Sequence, residues 1–287
     1  MINTHLQVRR AVAQDHQQIA NLIYYEANSH RHLDWRSALD WIGSQNYWVL
    51  EEGGRITAAL ACPEDPPDVA WIRLFAYHPH LSGSEAWFTL WDVAAREIRY
   101  GNRQAQVAAI VVKQWFQNIL LSHGFELKQN IVLLQSGSEN TKLFSPPHGL
   151  RIRPMRDDDL PEVTSMDLAA FGRFWHNTVD SLQRAYSQAV CATVAESDLG
   201  MVGYQISTGS LLGAHLARLG VRPEAQGRGT GTALVSDLIE RLGIHQNGKL
   251  SVNTQGDNFA SLSLYKKLGF VRTGEHFPVL VHTSRIS

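Results

Sequence analysis

At 287 residues the chain exceeds the usual single-domain size, so two domains of roughly 140 residues are expected, and a formal net charge of −1 with dispersed Lys and Arg gives no reason to expect nucleic acid or an anionic membrane as partner. Two cysteines, Cys62 and Cys191, are too few for a disulfide framework and lack paired metal-ligand spacing, which points to a reducing cytoplasm. No apolar run reaches the ~18 residues of a membrane span and the polar start MINTHLQVRR is unlike a signal peptide, so a cytoplasmic protein acting on a small molecule or a peptide is expected, its oligomeric state unreadable.

In the first half, Glu51-Glu52-Gly53-Gly54 is the expected turn of a hairpin. Ala86, Leu90, Ala94 and Ile98, with Trp87, Trp91 and Ala95 beside them, make a helical apolar stripe. His30-x-His32 and His78-x-His80 have no acidic or cysteine partner at metal-ligand spacing, so they read as solvated loops and no metal is expected. Residues 135–149 (QSGSENTKLFSPPHG), rich in Ser, Gly and Pro and without periodicity, read as a linker.

The second half begins with a strand at 150–153 and helices within 157–187, where Phe171, Phe174, Trp175 and His176 form either a substrate wall or a buried helix face. A hairpin follows from Val190 to Thr208, turning at Ser197-Asp198-Leu199-Gly200, and then a strand over 211–221 (LLGAHLARLGV). That strand passes through Gly227, Gly229 and Gly231 into a helix whose stripe is Ala233, Leu234, Leu238, Ile239 and Leu242. Glycines at a helix N-terminus leave free amides and a positive dipole end open to a phosphate. A Walker A loop would need Lys-Ser/Thr after its last glycine, and a dinucleotide fingerprint Gly-x-Gly-x-x-Gly after the first strand; neither is present. A strand at 248–253, a helix from Asn258 with Ala260, Leu264 and Leu268 on its core face and Tyr265 one position away, and strands near 270 and 276–283 complete the half.

Gln226, Gly229 and Gly231 resemble the Gln/Arg-x-x-Gly-x-Gly/Ala acetyl-CoA signature of the GNAT N-acetyltransferase superfamily, and residues 258–270 (NFASLSLYKKLGF) resemble its later helix through Asn258, Ala260, Tyr265, Gly269 and Phe270. The resemblance implies an α/β (α+β) fold with a mixed, mostly antiparallel sheet flanked by helices, acetyl-CoA as co-substrate, and transfer to a primary amine. It also implies that the backbone of Leu219, Gly220 and Val221 holds the pantetheine and acetyl carbonyl. Gln226, Gly227, Arg228, Gly229, Thr230, Gly231 and Thr232 would hold the pyrophosphate, Asn258 would touch the cofactor arm, and Tyr265 would protonate the departing sulfur. By residue type alone, Tyr265 is equally a core-edge tyrosine and Asn258 a helix cap. Many N-terminal acetyltransferases of the superfamily carry Glu five residues before the motif asparagine; here that residue is Asn253, which accepts no proton. His215, eleven residues before Gln226, stands where the histone acetyltransferase branch carries its catalytic Glu, and is either the general base or a structural histidine. Two functions stay open: an N-acetyltransferase, or a non-catalytic acyl-CoA-binding or regulatory module.

Sliding the chain by 144 or 145 residues aligns Leu6-Gln7-Val8-Arg9 with Leu150-Arg151-Ile152-Arg153, Asp15 with Asp159, His78-Pro79 with Arg222-Pro223, and His123-Gly124-Phe125 with Leu268-Gly269-Phe270. Two tandem copies are therefore expected: a degenerate domain at 1–135, a linker at 136–149, and an acetyl-CoA-binding domain at 150–287. In the first copy Gly229 and Gly231 become Glu85 and Trp87, Asn258 becomes Lys113 and Tyr265 becomes Leu120, so its cofactor loop is lost.

Overall fold

The computed structural model describes residues 6–24, 26–101, 105–137, 141–210, 213–243 and 248–283. The chain divides into two compact units, Met1–Lys128 with Phe277–Ser287, and Gln129–His276. Among the described residues no helix is long and apolar enough to cross a membrane.

The first unit contains β1 (Leu6–Arg10), α1 (His16–Tyr24), β2 (Ser29–Arg31), β3 (Tyr47–Glu52), β4 (Arg55–Ala61), β5 (Val69–Trp71), β6 (Leu74–Tyr77), α2 (Gly83–Gly101), β7 (Gln106–Ile110) and α3 (Gln114–Ser122). Five strands make an antiparallel sheet in the order β1-β3-β4-β6-β2, and β5 pairs with β7 in parallel. The stripe expected on α2 is what that helix buries: Ala86, Trp87, Leu90, Trp91, Ala94, Ala95 and Ile98. The β3–β4 turn falls at Gly53 and Gly54, both with positive φ, which suits the twist of a two-residue hairpin.

The second unit is entered along β8 (Glu126–Gly137), at Gln129, contains β9 (Arg151–Pro154), α4 (Leu160–Trp175), α5 (Val179–Ser187), β10 (Cys191–Ser197), β11 (Gly200–Ser210), β12 (Gly213–Val221), α6 (Thr230–Arg241), β13 (Lys249–Gln255) and α7 (Phe259–Lys267), and is left along β14 (Val271–Thr283), after His276. Its strands run β9-β10-β11-β12-β13-β8, antiparallel except for the parallel pair β12/β13. On one face of this sheet Leu216, Val235, Leu238, Ile239, Leu250, Val252, Tyr265 and Leu268 share a core, while α4 packs against β11 and β12.

Three sequence expectations change. The compact units differ from the linear division 1–135, 136–149, 150–287: Ile131–Gly137 of β8 pairs with β13, and Val279–Thr283 of β14 pairs with β7, so each unit's sheet is completed by a segment from the far half of the sequence. Residues 135–137, expected in the linker, are therefore strand, and the strands expected near 270 and 276–283 are one continuous β14. His30 and His32 are not solvated: His30 is buried in β2 and stacks on Phe116 at 4.3 Å, and His32 packs against Trp71 at 5.2 Å. Leu211 and Leu212, placed in the strand over 211–221, lie outside the described residues.

The repeat has a physical counterpart. In the first unit Arg9 grips Asp15 at 2.7 Å and Glu51 at 2.7 Å; in the second Arg153 grips Asp159 at 2.7 Å and Glu196 at 2.7 Å. In both, the aspartate also accepts a backbone N–H, from Val12 at 2.8 Å and from Arg156 at 2.7 Å, tying the first strand to the following helix.

Candidate functional site

The site of the second unit begins with a fork between two parallel strands. β12 and β13 pair only at Ala214↔Leu250, His215↔Ser251 and Leu216↔Val252, although β12 continues to Val221 and β13 to Gln255. The cause lies on the other edge of β12, where Ile206 faces Arg218 and Ser207 faces Leu216, leaving Ala217 as the extra residue of a bulge that bends the strand. Beyond Leu216 the edge of β12 turned away from β11 has no strand partner among the described residues. Backbone polar groups on such an edge remain available to a ligand.

At the far end of that edge the chain enters α6. Gly229 is its N-cap, with φ 88° and ψ −2°, a left-handed conformation that a side-chain-bearing residue resists. Gly231 contributes differently: a Cβ there would sit 2.7 Å from Leu264 Cδ1, so its absence lets Leu264 of α7 pack directly on the first turn of α6. The first intrahelical bond runs from Ala233 N–H to Gly229 O at 2.9 Å, so the amides of Thr230, Gly231 and Thr232 precede it and carry the positive end of the helix dipole.

These elements enclose a groove of about 810 Å³. Of the expected cofactor residues, Leu219, Val221, Gln226, Gly227, Gly229, Thr230, Gly231, Thr232 and Asn258 line it. Gly220 and Arg228 do not: a Cβ at Gly220 would lie 2.5 Å from the Tyr204 ring, so that glycine makes room for a packed tyrosine, and Arg228 is exposed. Gln226 donates from Nε2 to Val221 O at 3.1 Å, and Asn258 caps α7 by accepting from Ser261 N–H at 3.1 Å while lining the groove.

Phe171 and Trp175 of α4 form a wall of the same groove. A buried ionic cluster holds them there. Asp167, fully buried, accepts from Arg218 Nε at 2.6 Å and Nη2 at 2.8 Å, from the Tyr204 hydroxyl, and from Asn177 N–H at 2.6 Å. Arg218 also donates to Trp175 O at 2.7 Å and lies 3.5 Å from the Phe171 ring centroid. The residue next to the bulge on β12 is thereby bonded to both aromatics. Burial, and then the Asp167 carboxylate, push the Tyr204 phenol well above its ordinary value, so it remains a donor. Sequence reasoning missed this cluster; an Asp in the apolar face of α4 and an Arg inside a strand were the available signals.

Tyr265 and His215 do not line the groove but flank the fork's apex from opposite faces. Tyr265 is 4% exposed and belongs to the core that contains Leu216 and Val252, the last paired residues; its ring lies 5.5 Å from Phe270 and burial holds its phenol above the ordinary value. The face expected for α7 is kept only in part: Leu268 is core and Leu264 packs against it, but Tyr265, expected one position away, is core and Ala260 is not. Ala260 is exposed and lines the groove with Leu264, whereas Tyr265 and Leu268 are core, because two apolar stripes compete on this short helix and close packing on Gly231 selects Leu264 for the groove side. His215 points to the opposite face, as alternation from Leu216 requires. Its Nδ1 lies 2.9 Å from Ser251 Oγ, burial lowers its pKa from the ordinary value, and it lines a second cavity, separate from the groove, of about 290 Å³.

The first unit has the same fork, filled. β5 pairs with β7 up to Trp71↔Ala108, and β6 then continues as β12 does. Its free edge is taken by β2, with Ser29↔Ala76, His30↔Phe75 and Arg31↔Leu74. At the N-terminus of α2, Gly83 lies under Tyr77, whose ring would be 2.8 Å from an added Cβ, and Trp87 is fully buried, edge-on to Phe75 at 5.2 Å and to Phe116 at 5.5 Å.

Comparison with known proteins agrees with this geometry. Residues 160–270 match the family model described as Acetyltransferase (GNAT) family. Acetyltransferase SG1711 of Sodalis glossinidius (strain morsitans) is 30% identical over 128 residues, covering 42% of this chain and 87% of that relative. In fold, the chain is similar to a tandem GNAT protein from the clavulanic acid biosynthesis pathway, with a TM-score of 0.66 and 16% identity over 99% of this chain and 100% of that one. It is similar also to a GCN5-related N-acetyltransferase from Sphaerobacter thermophilus, with a TM-score of 0.62 and 16% identity over 96% of this chain and 95% of that one.

Proposed function

The chain belongs to the GNAT acetyltransferase family, and on that premise we propose that its second unit moves an acetyl group from acetyl-CoA to a primary amine of a small-molecule or peptide acceptor, while its first unit binds no cofactor. The observation that carries this reading is the open fork, in which a strand edge freed beyond Leu216 leads directly to the uncapped amides of α6. The residues fit acetyl-CoA: amides of Thr230, Gly231 and Thr232 meet a pyrophosphate, Gly227 and Gly229 keep side chains off it, and the edge at Leu219–Val221 bonds an extended amide-bearing arm. Bound acetyl-CoA supplies an acyl carbon activated as a thioester.

The protein's part is to move two protons. His215, kept neutral by burial, takes a proton at Nε2 from the acceptor's ammonium, freeing the amine to attack, while Ser251 engages Nδ1 and orients the ring. Tyr265, kept protonated by burial, gives its hydroxyl proton to the departing sulfur. Acid and base at one apex suit a reaction in which a single carbonyl carbon gains the amine and loses the thiol.

Thiol release from acetyl-CoA over a panel of amines, amino acids, polyamines and peptide N-termini tests this function. Amine-dependent release is expected; acetyl-CoA binding without release on every acceptor class would replace the reading with that of a non-catalytic acyl-CoA-binding protein.

A further inference from the structure

The cavity beside His215 bears on the acceptor. It lies between the end of β11, the start of β12, the start of β13 and Gln135 of β8, and its lining is Gln135, Thr208, Gly209, Gly213, Ala214, His215, Lys249 and Ser251. At about 290 Å³ it stands at the small end of ligand pockets, which run from roughly 300 to 1,000 Å³. Two of its walls are bare backbone for steric reasons. A Cβ on Gly209 would meet Val190 Cγ1 at 2.7 Å, and one on Gly213 would meet Lys249 O at 2.5 Å.

Its place in the sheet connects it to the proposed chemistry. The pair His215↔Ser251 is one step before Leu216↔Val252, where the strands part, a rise of about 3.3 Å. An acyl group carried into the fork as far as its apex therefore arrives next to the His215 ring.

The charge of the lining is one-sided. Its polar side chains are the Gln135 amide, the Thr208 and Ser251 hydroxyls, the His215 imidazole and the Lys249 ammonium; among the described residues none that lines it is a carboxylate. A polyamine or a basic peptide would bring a second cation against Lys249 with no acid among the described lining residues to receive it, and like charges at such range are unfavourable. An acceptor with an anionic tail gains a charge-assisted contact there instead. The same ammonium also disfavours protonation of a nearby amine, which leaves more of the acceptor in its nucleophilic form.

We propose that this cavity is the acceptor site and that it takes a small amine of amino-acid size whose other end carries an anionic group paired with Lys249. The proposal rests on the transfer reaction proposed above, and the two separate experimentally. Calorimetry on CoA-loaded protein and thiol-release assays with acetyl-CoA compare β-alanine, phosphoethanolamine, propylamine and 1,3-diaminopropane, for the wild type and for Lys249→Glu. The expected result is that at least one anionic amine binds and is acetylated at least ten-fold more efficiently than propylamine, that diaminopropane is poorest, and that Lys249→Glu reverses the order of the anionic and dicationic amines while leaving CoA affinity unchanged. Preference for β-alanine or for phosphoethanolamine identifies the tail as carboxylate or phosphate, and either supports the proposal. Binding of an anionic amine that is lost in Lys249→Glu but never yields thiol upholds the cavity and overturns the transfer reaction. Diaminopropane as the best acceptor, no binding of either anionic amine, or an order unmoved by Lys249→Glu overturns the proposal.

Discussion

In the second unit β12 leaves β13 after Leu216 and its freed edge borders an open groove; in the first, β6 continues past the β5/β7 pair and its freed edge is bonded to β2. The helix that follows begins with uncapped amides under glycines in one case, and under Tyr77 with Trp87 buried in its first turns in the other. The scaffold bonds are shared, as Arg9–Asp15 and Arg153–Asp159 attest. A parted strand pair is therefore a property of the fold, and a binding site arises only when nothing of the protein fills it. In the first unit two separate features fill it, a strand along the edge and an indole at the helix, so reversing either one alone does not reopen the site.

The largest expected effect comes from importing the first unit's residues into the second. Gly229→Glu places a carboxylate at a φ of 88°, costing about 1–3 kcal/mol in backbone strain and repelling phosphate; Gly231→Trp drives an indole toward Leu264. Each is expected to lower acetyl-CoA affinity at least ~100-fold, about 2.7 kcal/mol, as read by calorimetry with circular dichroism to verify folding. Undiminished affinity in the folded variants would remove the helix terminus from the site.

Next is the ionic cluster, which has no counterpart of four donors among the described residues of the filled unit. Asp167→Asn leaves Arg218 buried without its charge partner and is expected to cost about 3–5 kcal/mol of stability in denaturant unfolding, with KM for the cofactor raised because Phe171 and Trp175 lose their anchor. A variant as stable as wild type would mean that the wall is held by packing alone.

His215→Ala is expected to reduce kcat/KM by about 10²–10⁴ while acetyl-CoA binding persists. Since burial lowers the His215 pKa, the sign is fixed: the imidazole becomes a competent base as pH rises through a value below its ordinary one, so activity climbs on the acid side and is level at neutral pH. Lys249 and Ser251 line the same cavity from β13. In the alanine variant that acid limb should vanish; its persistence would assign it to another group.

The smallest effect tests what the units share. Asp15→Asn and Asp159→Asn should each cost about 1.5–3 kcal/mol at neutral pH. Hydrogen bonding to Arg9 and to Arg153 lowers the pKa of these carboxyls, so their contribution is present above the unfolded carboxylate value and is lost as pH falls through the lower folded one. Unfolding of wild type and variants should therefore converge in acid. A penalty in only one unit would mean that the repeat is geometric without being energetic.

Much of this was legible in the sequence wherever the signal was local. The apolar stripe of α2 and the glycines before α6 are patterns that a short window contains, and they appear where expected. The rest depended on partners distant in sequence. Asp167, Tyr204 and Arg218 meet only after α4 has folded onto β11 and β12. The exchange of β8 and β14 leaves no trace in either strand's own alternation, because a strand's pattern specifies its faces and not its neighbour. On α7, Ala260 with Leu264 and Tyr265 with Leu268 are rival faces of one apolar helix, and only the contact with Gly231 decides between them. The three residues of β2, Ser-His-Arg, carry no strand signal at all, yet they fill the fork of the first unit.

The number of acetyl-CoA molecules bound per chain, counted by native mass spectrometry, tests the contrast between the units most directly. One per chain is expected for the wild type and for Trp87→Gly, since β2 still occupies the first fork, and none for Gly229→Glu. Two per wild-type chain, or one that survives Gly229→Glu, would contradict the assignment of the open fork as the site and the filled fork as its silent copy.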